Sequence, residues 1–116
     1  MRHWGFPMRL KLLVVLACLI ASACQSSDVK VLIGATTIVA PGAPPIEDSI
    51  IVVAQGRIRS VGIRKDVPIP QDSERLDLTG SRIEPAAGAR IAVNESADLV
   101  ITGPGVNRRM LHGRWQ

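Results

Sequence analysis

Residues 49–62 read Ser-Ile-Ile-Val-Val-Ala-Gln-Gly-Arg-Ile-Arg-Ser-Val-Gly. The two halves of this stretch are patterned differently. Ser49 to Ala54 is almost wholly apolar and rich in β-branched residues, as expected of a strand buried on both faces. Arg57 to Val61 alternates polar and apolar residues, as expected of a half-buried strand. Gln55-Gly56 between them is a tight turn. The stretch is therefore a β hairpin, and it points to an all-β chain.

The same reading extends outward. Upstream, Val31 to Val39 (VLIGATTIV) reads as one strand, and the three prolines of residues 41–45 make a loop. Downstream, residues 63–73 hold two prolines and several charges and read as a loop. Glu74 to Leu78 alternates again, Thr79-Gly80 turns, and Ser81 to Glu84 is a short strand ended by Pro85. Ala86-Ala87-Gly88-Ala89 is a small-residue linker. Ala97 to Thr102 is a strand broken by Gly103-Pro104-Gly105. Residues 109–112 and 114–116 form a last hairpin around Gly113. No stretch carries a helical period. The expectation is a small β-sandwich or partial barrel of about six or seven short strands.

The start of the chain is of another kind. Arg2, Arg9 and Lys11 precede an unbroken apolar run, Leu12 to Ile20, and then Ala21-Ser22-Ala23-Cys24. This is the three-part plan of an export signal: a positive start, an apolar helix and small residues at a cut site. The run is shorter than the roughly 20 apolar residues that a spanning helix needs. Small residues directly before Cys24 resemble the lipobox of bacterial lipoproteins, which implies cleavage between Ala23 and Cys24 and acylation of the Cys24 thiol. Cys18 sits inside the apolar run behind Leu16 and fits less well. Gln25 stands where an inner-membrane retention signal would carry Asp, so the resemblance implies an outer-membrane anchor facing the periplasm. The alternative is plain secretion with a free thiol. The expected organisation is a signal peptide over residues 1–23, an attachment cysteine and tether over 24–30, and a β domain over 31–116.

Removing the signal changes the balance of charge. The whole chain has 14 Lys and Arg against 10 Asp and Glu. Three of the basic residues lie in the signal, so the remainder has a net charge of about +1. Its basic residues do not cluster along the chain, no aromatics interleave with them, and Trp115 is its one aromatic. A nucleic-acid partner is therefore not expected. Cys18 leaves with the signal and Cys24 is then alone, so the domain must hold together by packing.

Three patterns in order resemble the small composite β-sandwich of the metal-dependent amidohydrolase superfamily, which includes imidazolonepropionase-, dihydroorotase- and urease-α-like proteins. The first is Val31-Leu32-Ile33-Gly34-Ala35-Thr36, followed by Ile50-Ile51-Val52-Val53 and Gly56-Arg57-Ile58-Arg59-Ser60-Val61-Gly62. The second is Leu76-Asp77-Leu78-Thr79-Gly80. The third is the segment from Gly88 to Ile101, with Ala97-Asp98-Leu99-Val100, and the hairpin Met110 to Trp115. Asn94 stands near the position of a family glycine, and Asn also enters the left-handed region. The resemblance covers nearly all of residues 31–116. It implies hydrolysis of non-peptide carbon–nitrogen bonds with zinc or another divalent metal, held in a (β/α)8 barrel inserted between the halves of the sandwich.

The sequence departs from the family at that insertion. There the family has a Pro-Gly-x-x-Asp-x-His-x-His strand whose histidines hold the metal. Here Glu84-Pro85-Ala86-Ala87-Gly88 passes straight into the closing segment, and the only histidines are His3 and His112. No catalytic residue, metal ligand or cofactor is therefore assigned. His112 beside a turn reads as a surface residue, and Asp98 as structural. Glu74 and Asp77 read as two carboxylates on one face of a strand without a partner. Ser81 and Ser96 lack a recognisable histidine base. Lys65 reads as solvated, and Asn94-Glu95-Ser96 as an unused sequon.

The expected function is that of an exported, lipid-anchored relative of the amidohydrolase small domain without activity of its own. Two alternatives stand beside it. One is an envelope interaction module that covers, by self-association or a protein partner, the face normally packed on the barrel. The other is a truncated product with no independent function. The site residues expected are Ala23 and Cys24 for cleavage, and Cys24 for lipid attachment.

Overall fold

The computed structural model describes residues 28–116, which form two mixed β-sheets packed face to face. The nine strands among these residues are β1 (Val29–Ile33), β2 (Thr36–Thr37), β3 (Ser49–Ala54), β4 (Arg57–Ile63), β5 (Glu74–Asp77), β6 (Arg82–Pro85), β7 (Leu99–Gly103), β8 (Val106–Leu111) and β9 (Arg114–Trp115). One sheet has the order β4-β3-β1-β5 and the other β2-β6-β7-β8-β9. The all-β expectation holds, as a sandwich without a closed barrel. Cys24, Ala23 and the rest of the export segment lie outside the described residues. β1 begins at Val29, inside the stretch assigned to the tether.

The 49–62 hairpin forms as its pattern requires. Gln55 and Gly56 both take positive φ, 54° and 77°, which matches the twist of a two-residue hairpin turn. β3 is buried along Ser49 to Val53. Its inward side chains Ile51 and Val53 join Leu32, Ile58, Ile83, Leu99, Ile101 and Met110 in the core between the sheets. Its outward side chains Ile50 and Val52 form a second cluster with Val31, covered by Val67 and Ile69 from the loop after β4. That loop, read only as a charged connector, thus shields the outer face of β3. Val52 pairs with Ser60 and Val53 with Ile58, so Arg59 is a β-bulge that turns its side chain to solvent.

The single strand expected over residues 31–39 is two strands in different sheets. Gly34 breaks it at φ +88°, a conformation that costs other residues dearly. A second crossing lies beside the first, where β5 leads through Leu78 to Ser81 into β6. β1 is parallel to β5 and β2 is parallel to β6, so the two crossings run side by side. They are tightly fitted: a Cβ on Gly34 would lie 2.5 Å from Thr79 Oγ1. Buried Thr37 and Ser49 fasten the corner, with their hydroxyls 2.7 Å apart and Ser49 Oγ donating to Ala35 O at 2.6 Å.

Glu74 and Asp77 are three residues apart in β5, and alternate strand residues share a face. The expectation that they share one face is therefore wrong. Asp77 instead closes its own turn, accepting the Thr79 hydroxyl at 2.6 Å and its N–H at 3.1 Å. These bonds hold its carboxyl below the usual aspartate range, the hydroxyl bond contributing most.

Candidate functional site

A cluster of three polar side chains, Ser96, Asp98 and His112, lies at the opposite end from the crossings, where two hairpin turns meet. The Gln55-Gly56 turn nests against His112-Gly113, whose residues also take positive φ, 50° and 77°. A Cβ on Gly113 would lie 2.8 Å from Gly56 Cα, so only glycine permits this approach. The segment before β7 is threaded between the turns. Ala97 N–H donates to Gly56 O at 2.9 Å, and Gly113 N–H donates to Ala97 O at 3.1 Å. Asn94 makes the bend into this segment at φ +72°, the role its sequence position suggests.

This threading gathers Ser96, Asp98 and His112. Ser96 Oγ lies 2.8 Å from His112 Nδ1 and donates to Asp98 Oδ1 at 3.1 Å. Asp98 Oδ1 also accepts the His112 backbone N–H at 2.8 Å. The sequence showed no histidine near Ser96; the structure brings His112, sixteen residues on, beside it. The sequence hides the pair because only the nesting of two turns joins them. Ser81 lies elsewhere, buried at the other end of the sandwich beside Gly103.

The chemistry of the three groups is that of a fastener. A serine nucleophile needs its proton directed to the imidazole, with the carboxylate on the far ring nitrogen. Here the carboxylate takes the serine proton directly, and Nδ1 lies 3.9 Å from Asp98 Oδ1. The nearby backbone donors are spent as well. Those of Ala97, His112 and Gly113 each bond within the protein, which leaves none of the three for a developing oxyanion. The His112 side chain is 80% exposed, as expected of a surface residue. Asp98 holds the last hairpin onto the start of β7, in keeping with its structural reading.

Beside the cluster opens a cleft of about 770 Å³, lined in part by Lys30, Arg57, Ser96, His112 and Arg114. Among the described residues no three His, Cys, Asp or Glu side chains are grouped to hold a metal ion. The His112 ring nitrogen nearest a carboxylate is already bonded to Ser96. The residues present do not fit the divalent metal that the family resemblance implies. Lys65 is exposed in a short 3-10 turn after β4.

No family model and no curated protein matches the chain. Parts of solved structures do. Molinate hydrolase is 24% identical over 51% of this chain, with a TM-score of 0.46. A prolidase-like protein from Bifidobacterium longum is 30% identical over 50%, with a TM-score of 0.47. Guanine deaminase of E. coli is 21% identical over 49%, with a TM-score of 0.44. These are amidohydrolase-family enzymes. The matched parts make up 13%, 15% and 16% of their respective chains.

Proposed function

We propose that this chain holds a counterpart of the amidohydrolase small β domain without the inserted barrel, exported and tethered by lipid on Cys24, and that this domain performs no hydrolysis by itself. The observation that carries the reading is the link between β6 and the closing segment. Ala89 N–H donates to Ala86 O at 2.9 Å, with Gly88 at φ +82°. This is a single β-turn with glycine where a positive φ is needed. The motif order places the family's barrel, about 250 residues long, at this point. The chain instead crosses it in one turn, and Ile91 and Ala97 then enter the core. What remains is a domain whose two halves complete each other.

The test is to purify the processed protein from its own envelope, measure bound zinc, and assay amides, lactones and cyclic imides. The expected result is no turnover; stoichiometric metal together with turnover would falsify the reading. Intact mass spectrometry of the same sample tests the anchor, with a diacyl or triacyl increment expected on Cys24.

A second reading, an envelope interaction module, is favoured by Arg57, Arg59 and Arg114, exposed near the nested turns and in no ion pair among the described residues.

A further inference from the structure

The chain enters the domain at Asp28, beside the nested turns, and this end of the sandwich is basic. Lys30 of β1, Arg57 at the β3–β4 turn and Arg114 of β9 line the 770 Å³ cleft, where Asp28 is the one acidic side chain. Arg59, on its bulge, lines an adjoining hollow. Arg57, Arg59 and Arg114 are exposed. None of these four cations is ion-paired among the described residues. Residues 1–27 contain no Asp or Glu that could pair with them. Glu74, opposite Lys30 in register, and Asp98, bonded to the cleft-lining Ser96 and His112, offset part of the charge. The other end is acidic. There Glu47, Asp48, Asp66 and Asp77 outnumber Arg64 and Lys65, and the register of Ile33 with Asp77 and Ser49 with Ile63 fixes their position.

Cys24 precedes Asp28 by four residues. Fully extended, that length reaches about 14 Å. A domain held so close presents the end from which the tether leaves. We infer that this basic end docks on anionic phospholipid headgroups, with Lys30, Arg57, Arg59 and Arg114 binding their phosphates. The inference rests on the proposed lipid tether for its orientation, and the acidic end then faces away from the bilayer.

The chain carries its own reporters. Lys30 and Lys65 are the two lysines after Cys24, and they lie at opposite ends. The processed protein is added to vesicles of phosphatidylcholine, alone or mixed with phosphatidylglycerol, and its lysines are acetylated with a water-soluble reagent. Relative to Lys65, Lys30 should react at least ~5-fold more slowly on the anionic vesicles than on the neutral ones, and ~1 M salt should remove the difference. The triple variant Arg57→Gln, Arg59→Gln, Arg114→Gln should lose most of the protection. An equal Lys30 to Lys65 ratio on both vesicle types overturns the inference, whether or not Cys24 is acylated. Intact mass on the same preparation reads the acyl group separately. A bare Cys24 with Lys30 protected removes the tether and keeps the surface, whereas an acylated Cys24 with Lys30 unprotected does the reverse.

Discussion

The two ends of this sandwich solve one problem by different means. At each, segments distant in sequence must be locked together. The crossing end does so inside the protein, with Gly34 against Thr79 and the buried Thr37 and Ser49 hydroxyls bonded to each other. The nested-turn end does so at the surface, with Asp98 collecting the Ser96 hydroxyl and the His112 amide. A buried polar group without a partner costs more than an exposed one, because water cannot replace the lost bond. The crossing end should therefore dominate stability, while the nested-turn end keeps its polar side chains in contact with solvent.

The comparison can be broken first at the glycines. Gly34→Val should cost about 3–4 kcal/mol, from positive φ and from overlap with Thr79. Gly113→Val should cost nearly as much, about 3 kcal/mol, because its overlap is with the Gly56 backbone. Urea unfolding followed by far-UV circular dichroism measures both. A loss under about 1 kcal/mol at either site would show that the close approach is not needed.

The hydroxyl and carboxylate fasteners come next. Ser49→Ala removes the partner of buried Thr37 and should cost about 2 kcal/mol. Asp98→Ala should cost about 1 kcal/mol, since water reaches the groups it releases. The double variant should lose the sum of the two, because the sites share no partner. Equal single losses would erase the contrast between the ends.

The smallest expected effect depends on pH. The Asp77 carboxyl titrates below its ordinary range in the folded protein. Its contribution is fully present above the ordinary aspartate value and is lost as pH falls through the lowered folded value. Asp77→Asn should flatten the acid limb of the stability profile and leave the profile near neutrality almost unchanged in shape. An acid limb as steep as that of the parent would remove Asp77 as its source.

Much of this was legible in the chain itself. The β3–β4 hairpin could be placed because six apolar residues, a Gln-Gly turn and an alternating run agree with one another. Asn94 could be anticipated at positive φ because few residues other than glycine tolerate it. The break at Gly34 could not be seen, since VLIGATTIV has the composition of one strand throughout. The contact of Ser96 with His112 was equally hidden, because each looks isolated within its own segment.

The sequence by itself determined that residues 31–116 are β-structured and that hairpin turns fall at Gly56 and Gly113. These are local properties, written in periodicity, turn chemistry and runs of apolar residues. Tertiary structure alone decided that β1 and β2 belong to different sheets, that the loop after β4 covers the outer face of β3, and that Lys30, Arg57, Arg59 and Arg114 gather where the chain enters the domain. The physical reason is that the two sheets bury their apolar faces against each other, and in this chain their strands interleave along the sequence. That interleaving brings side chains from opposite ends of the chain to a single basic surface.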